Sequence, residues 1–173
     1  KNGSYSEREI CENTIWGSKE IEERGLKLLS FMAEHWDIDE LKDKIKQKEL
    51  HIKTNFNDDF YIKSDTYLVS IILSNILSNA IKYSNKSGQI DIELKKEKET
   101  LYCSITDNGI GILAEDLDKI FNSFYRSDVS NHPEIKGTGL GLSIVKRLCD
   151  LLSIELSVTS EKSKGTSINL RIY

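Results

Sequence analysis

The sequence predicts an α/β (α+β) fold, a two-layer sandwich in which a mixed, mostly antiparallel sheet is covered on one face by helices. Three observations predict it. The segments run helix, two strands, glycine loop, helix, two strands. Each strand alternates apolar and polar residues, so each has one wet and one buried face. The two best helices each carry a single apolar stripe that needs a sheet to cover it.

Residues 1–25 are polar, with Ile10, Ile15, Trp16 and Ile21 in a weak helical pattern limited by Gly17 and Gly25. We read them as a helical linker. The apolar run from Leu26 to Trp36 fits a strand or a helix equally well. Asp37 or Asp39 offers an N-cap for a helix near Ile38 to Lys48. His51 to Phe56 alternates as a strand, and Tyr61-Ile-Lys fits a second short one. Asp65 is the capping residue for a helix over Thr66 to Tyr83, where Val69, Ile72, Leu73, Ile76, Leu77 and Ala80 share a face. The cluster Ser84 to Gly88 ends it.

Ile90, Ile92 and Leu94 alternate in one strand and Leu101, Cys103 and Ile105 in the next, with Lys95 to Thr100 as a charged hairpin turn. A short helix is expected over Asp116 to Phe124, and a mobile polar loop over Ser127 to Lys136. Leu140 to Leu152 repeats the helical pattern through Leu142, Val145, Leu148 and Cys149. Two strands close the chain, one through Ile154, Leu156 and Val158 and the other through Ile168, Leu170 and Ile172, joined at Lys162 to Gly165.

Composition narrows the function. At 173 residues, with 38% hydrophobic and 30% charged side chains, the chain can bury one domain core. A net charge of -4 argues against nucleic-acid binding, which needs a basic face. No stretch is apolar enough to cross a bilayer, and none is polybasic, so no membrane contact by this fragment is expected. Cys11, Cys103 and Cys149 lack metal-ligand spacing and read as reduced cytosolic thiols. The chain opens on Lys1 without a signal peptide, so it is expected to be a piece of a longer protein.

Chemistry concentrates in two glycine clusters and one helix edge. Asp107-Asn-Gly-Ile-Gly111 leaves the end of a strand, and Gly137-Thr-Gly-Leu-Gly141 opens a helix. Glycines before a helix let a phosphate approach the unpaired N–H groups and the positive end of the helix dipole. Neither cluster is a P-loop or a dinucleotide fingerprint. Asn75 and Asn79 stack one turn apart beside the apolar stripe, with Lys82 and Tyr83 on the same side. An amide oxygen is a hard donor that suits Mg²⁺.

The runs SNILSNAIKYS, ITDNGIGI, IFNSFYRS and GTGLGLSIVKRL, in that order between Ser74 and Leu148, closely resemble the N, G1, F and G2 boxes of sensor histidine kinases. That is the ATP-binding catalytic domain of the GHKL superfamily, with the Bergerat fold, and the resemblance covers residues 26–173. It implies that Asn79 holds Mg²⁺ against the ATP phosphates, with Asn75 supporting the site. It places Lys82 and Tyr83 near the phosphates and ribose, and Asp107 on the adenine amino group. Gly109 and Gly111 would let the backbone pass the nucleotide. Phe121 and Phe124 would anchor the lid, with Phe124 at the nucleotide, while Arg126 would stabilise the γ-phosphate during transfer. Gly137, Thr138, Gly139, Leu140, Gly141 and Leu142 would wrap the phosphates, and Thr166 would touch adenine.

The resemblance also implies partners: a dimerisation and phosphoacceptor domain of the same kinase, and a response regulator downstream. It implies a cytoplasmic position in a membrane-anchored sensor. None of His35, His51 and His132 has the acceptor motif, so the phosphorylated histidine is expected on a helix outside this chain; residues 1–25 fit the tail of such a helix. Leu113 stands where the family often has proline, which loosens that turn. Within the same fold, an ATPase of the gyrase and heat-shock branch or an anti-sigma serine kinase is the alternative. The ATPases resemble one another in placing a glutamate base one turn before the metal-binding asparagine, and here that residue is Asn75. A non-catalytic nucleotide-sensing module is the reading from another class.

Overall fold

The computed structural model describes residues 39–56, 64–127, 135 and 137–173. Among these residues, three helices, α1 (Asp39–Lys48), α2 (Thr66–Tyr83) and α3 (Gly141–Leu151), lie against five strands: β1 (His51–Phe56), β2 (Gln89–Glu97), β3 (Thr100–Asp107), β4 (Glu155–Glu161) and β5 (Gly165–Ile172). The strand order is β1-β2-β3-β5-β4. The β1–β2 pair is parallel and the other three are antiparallel, which is the mixed sandwich the pattern predicts. Because β1 pairs with β2, the domain reaches upstream at least to the helix that feeds β1. The readings for residues 1–25, Leu26 to Trp36 and Tyr61-Ile-Lys lie outside the described residues, as does most of the polar loop after Ser127. No helix among the described residues is long and apolar enough to cross a membrane.

α2 is the centre of the core. Ile72, Ile76, Leu77 and Ile81 on its sheet-facing stripe are at most 1% exposed, against Ile90 and Ile92 of β2 at 0% and 2%. Val145 and Cys149 of α3 close the layer from the side and are completely buried. Burial pushes the Cys149 thiol up to about 11 and the Cys103 thiol to about 12, so both stay protonated at neutral pH and serve as small apolar groups. On the open face of the sheet, Asp91 faces Thr106 and Thr106 faces Ser167, a polar ladder that water can reach.

Two expectations are corrected. The segment from Asp116 to Phe124 is not a helix. A single 3₁₀ turn covers Ala114–Asp116, and irregular turns follow to Phe124, whose φ of 67° breaks any helical path. The Lys95 to Thr100 turn is also shorter than expected: β2 and β3 pair as far as Glu97 opposite Thr100, leaving Lys98 and Glu99 as a two-residue turn with Lys98 at φ 56°.

α2 starts where its cap dictates. Asp65 accepts a 3.0 Å hydrogen bond from the Leu68 N–H, satisfying one of the unpaired donors of the first turn. Asp65→Ala is expected to lower unfolding free energy by about 1 kcal/mol in urea titration, and Asp65→Asn by much less.

Candidate nucleotide-binding site

α2, α3 and the rim of the sheet enclose a cleft of about 380 Å³. Five segments supply the residues expected from the sequence. Asn75, Asn79, Lys82 and Tyr83 come from the exposed edge of α2, Asp107 and Gly111 from the end of β3 and its loop, and Thr166 from β5. Arg126 comes from the turn before the polar loop, Gly137, Thr138 and Gly139 from the approach to α3, and Gly141 and Leu142 from its first turn. Residues far apart in sequence thus wall one cavity.

The loop after β3 sits between two backbones. The Ile110 N–H donates to Tyr83 O at 3.1 Å, and Ile110 O accepts from Ser163 at 2.7 Å. Gly109 faces the Tyr83 carbonyl where a Cβ would need to stand. Gly111 has a φ of 64° and abuts the Glu161 carbonyl, so a side chain there would be both strained and blocked. The loop therefore locks the end of α2 to the β4–β5 hairpin and brings Asp107 to the cleft.

Asp107 is 7% exposed. Burial raises its carboxyl to about 6, against the opposing hydrogen bonds from the Gly109 and Thr166 N–H groups; the Gly109 bond is 2.9 Å. Ile105, Ile110, Ile112, Val158 and Ile168 surround this end of the cleft. A buried acceptor in an apolar slot suits a flat heteroaromatic ring that offers an N–H.

The other end is cationic. Lys82 lies 4.8 Å from the Tyr83 ring centroid, and its ammonium fills the space a side chain on Gly137 would need. Burial, then the charges of Arg126 and Lys44, push Lys82 below the usual lysine range. α3 begins here with no side-chain cap at Leu140, unlike α2. The uncapped N–H groups and the dipole of that helix face the same end as the cations, an arrangement that attracts phosphate. Asn75 Nδ2 donates to Ile71 O at 2.8 Å, and its Oδ1 lies on the Gly141 side.

The base of the polar loop is pinned. Phe124 N–H donates to Gly139 O at 2.9 Å, and an Arg126 guanidinium N–H donates to Ile135 O at 2.5 Å. Asp116 accepts from Tyr125 Oη at 2.6 Å on one carboxylate oxygen and from Ser127 Oγ on the other. These bonds hold the Asp116 carboxyl below its usual range.

Three expected residues do not wall the cleft. Gly109 backs the loop and Leu140 caps α3 from outside. Phe124 is 74% exposed because its positive φ turns it outward, and Tyr125 lines the cleft beside it. Residues that sequence reading missed are Lys44, Ser78, Tyr125, Ser127 and the apolar lining; Ser78, Tyr125, Ser127 and most of the apolar lining fall inside the quoted runs, whereas Lys44, Val158 and Ile168 lie outside them.

The Asp107 shift carries a sign. The folded pKa of about 6 lies above the unfolded value of about 3.9. The folded state therefore binds the proton more tightly, and Asp107 subtracts stability as pH rises from about 4 to 6. Asp107→Asn removes that cost of roughly 3 kcal/mol and loses about one hydrogen bond. It is expected to stabilise the fold by about 2 kcal/mol in urea melts at pH 8, and below pH 4 to destabilise it by about 1 kcal/mol, the lost hydrogen bond alone.

Comparison with known proteins shows the family and the fold. Residues 64–173 match the family described as histidine kinase-, DNA gyrase B- and HSP90-like ATPase. The chain is 38% identical over 130 residues to the sensor histidine kinase WalK of Bacillus subtilis, covering 72% of this chain and 21% of that protein. It is 36% identical over 149 residues to the heme sensor protein HssS of Staphylococcus saprophyticus, covering 79% of this chain and 32% of that one. Among solved structures, a mycobacterial sensor histidine kinase, MprB, superposes with a TM-score of 0.64 at 25% identity, covering 78% of this chain and 90% of that one. The catalytic domain of histidine kinase ThkA superposes at 0.68 with 23% identity, covering 84% and 91%, which shows the shared fold. The chain thus spans a fifth to a third of those curated relatives. The chain belongs to the histidine kinase-, DNA gyrase B- and HSP90-like ATPase family.

Proposed function

We propose that the chain transfers the γ-phosphoryl group of Mg·ATP to a histidine on the dimerisation helix of its parent kinase, in the cytoplasm, for onward passage to a response regulator. The observation that carries this reading is the polarity of the cleft: a buried acceptor in an apolar slot at one end, and cations with a bare helix start at the other. Adenine fits the first end through an amino N–H given to the Asp107 carboxylate, with Thr166 beside it. The triphosphate fits the second.

The donor set suits magnesium. No cluster of acidic, histidine or cysteine side chains among the described residues could hold a cation alone. Asn79 and Asn75 offer amide oxygens from the cleft edge, and Mg²⁺ commonly takes few protein donors and completes its shell with phosphates and water. Asn79 is the residue that would hold it, supported by Asn75. Bound there, the metal would neutralise phosphate charge.

The protein has little covalent work in such a transfer. The bond from the γ-phosphorus to the β–γ bridging oxygen breaks as a bond to the acceptor imidazole nitrogen forms, and positioning with charge neutralisation governs the rate. Lys82 and the first N–H groups of α3 bind the phosphates, Gly137 and Gly139 let the chain close on them, and Arg126 meets the charge that develops during transfer. Asn75 favours transfer over hydrolysis. Its Nδ2 is committed to Ile71 O, and an amide cannot take a proton from an attacking water.

Mixing the chain with a separately made dimerisation domain and Mg·ATP is expected to give acid-labile phosphate on that domain; ATP hydrolysis without it would favour the ATPase branch. Asn79→Ala is expected to abolish Mg·ATP binding or transfer while the circular-dichroism melt is kept; normal transfer would contradict the metal assignment. Arg126→Ala is expected to slow single-turnover transfer by about 100-fold while weakening binding far less. Because adenine needs the ionised Asp107, ATP affinity in calorimetry should fall as pH drops below about 6.

A further inference from the structure

α1 reaches the cleft with Lys44, which walls it together with Lys82 and Arg126. Among the described residues lining the cavity, these three are the basic ones and Asp107, at the other end, is the acidic one. A polyphosphate carries several negative charges and so matches a cleft end walled by three cationic side chains.

The placement of Lys44 is fixed by its neighbour one turn along the helix. Lys48 Nζ donates to Ile81 O at 3.1 Å, Lys82 O at 2.7 Å and Ser84 O at 2.8 Å. The three protons of an ammonium match three carbonyls at the end of α2, which has no further helical donors to satisfy them. The positive charge also sits at the negative end of that helix. Residues four apart share one helix face, so the clamp at Lys48 holds Lys44 beside Lys82, the next residue of the same α2 turn.

We infer that Lys44 is a third phosphate-binding cation, supplied by α1 from outside the segment that matches the family. The inference rests on the reading of the cleft as a Mg·ATP site. It makes α1, the helix nearest the upstream chain, part of the nucleotide contact, so the number of phosphates bound bears directly on that helix.

The test is calorimetric titration of the full chain with Mg·ATP, Mg·ADP and AMP. Lys44→Gln is expected to weaken Mg·ATP by about tenfold, the loss of one charge-assisted contact, and AMP hardly at all. Lys44→Arg is expected to restore ATP affinity to within about threefold, and Lys44→Glu to lose more than Lys44→Gln. Unchanged ATP affinity in Lys44→Gln would overturn the inference alone. So would an equal loss for ATP and AMP, since a purely structural lysine would affect both alike. If the unaltered chain bound no Mg·ATP, the inference and the nucleotide reading would fall together.

Discussion

The apolar stripe of α2 on the sheet is the contact on which the cleft depends. Ile72, Ile76, Leu77 and Ile81 are buried almost completely, and each contributes about 1.5–3 kcal/mol relative to exposure. That burial fixes the rotation of the helix about its axis. Once the stripe faces β2 and β3, Asn75 and Asn79 must emerge at its edge, and Lys82 and Tyr83 at its last turn. The polar site is thus a by-product of where the oily side of the helix goes. A change that rotated α2 by one position would move every α2 ligand without touching one of them.

The cleft also shows stability being traded for recognition. Asp107 is a carboxylate in an apolar slot, and the fold would be firmer without it. Lys82 is a half-buried lysine pressed between other cations. Both are unfavourable in the empty protein, and both become favourable when a ligand with an N–H at one end and phosphates at the other fills the space. Binding energy in this design is drawn from the relief of two electrostatic penalties as well as from new contacts.

Much of this was legible in the sequence. Period-two alternation placed all five strands, and the bounds of α2 were read correctly because Asp65 and Ser84 mark its ends chemically. The segment after Asp116 misled because its spacing looks helical, whereas its outcome is set by tertiary bonds: the Asp116 carboxylate is taken by Tyr125 and Ser127, and Phe124 has left-handed backbone. The β2–β3 turn was overdrawn because Lys98 and Glu99 carry no glycine or asparagine to mark it. Most of the motif residues singled out in the sequence line the cleft, whereas Gly109, Phe124 and Leu140 do not. Lys44 was not singled out, since its place on the cleft wall arises only when α1 is packed beside α2, a contact no local pattern encodes.

The pins at the base of the polar loop have a consequence for its length. Phe124 is bonded to Gly139 and Arg126 to Ile135, so the two arms of the loop are joined to each other before the intervening segment begins. The span between Ser127 and Ile135 can lengthen or shorten without moving the cleft, since doubling a loop costs only about 0.6 kcal/mol in closure entropy. A change in the length of that span is therefore expected to leave the residues beneath it in register.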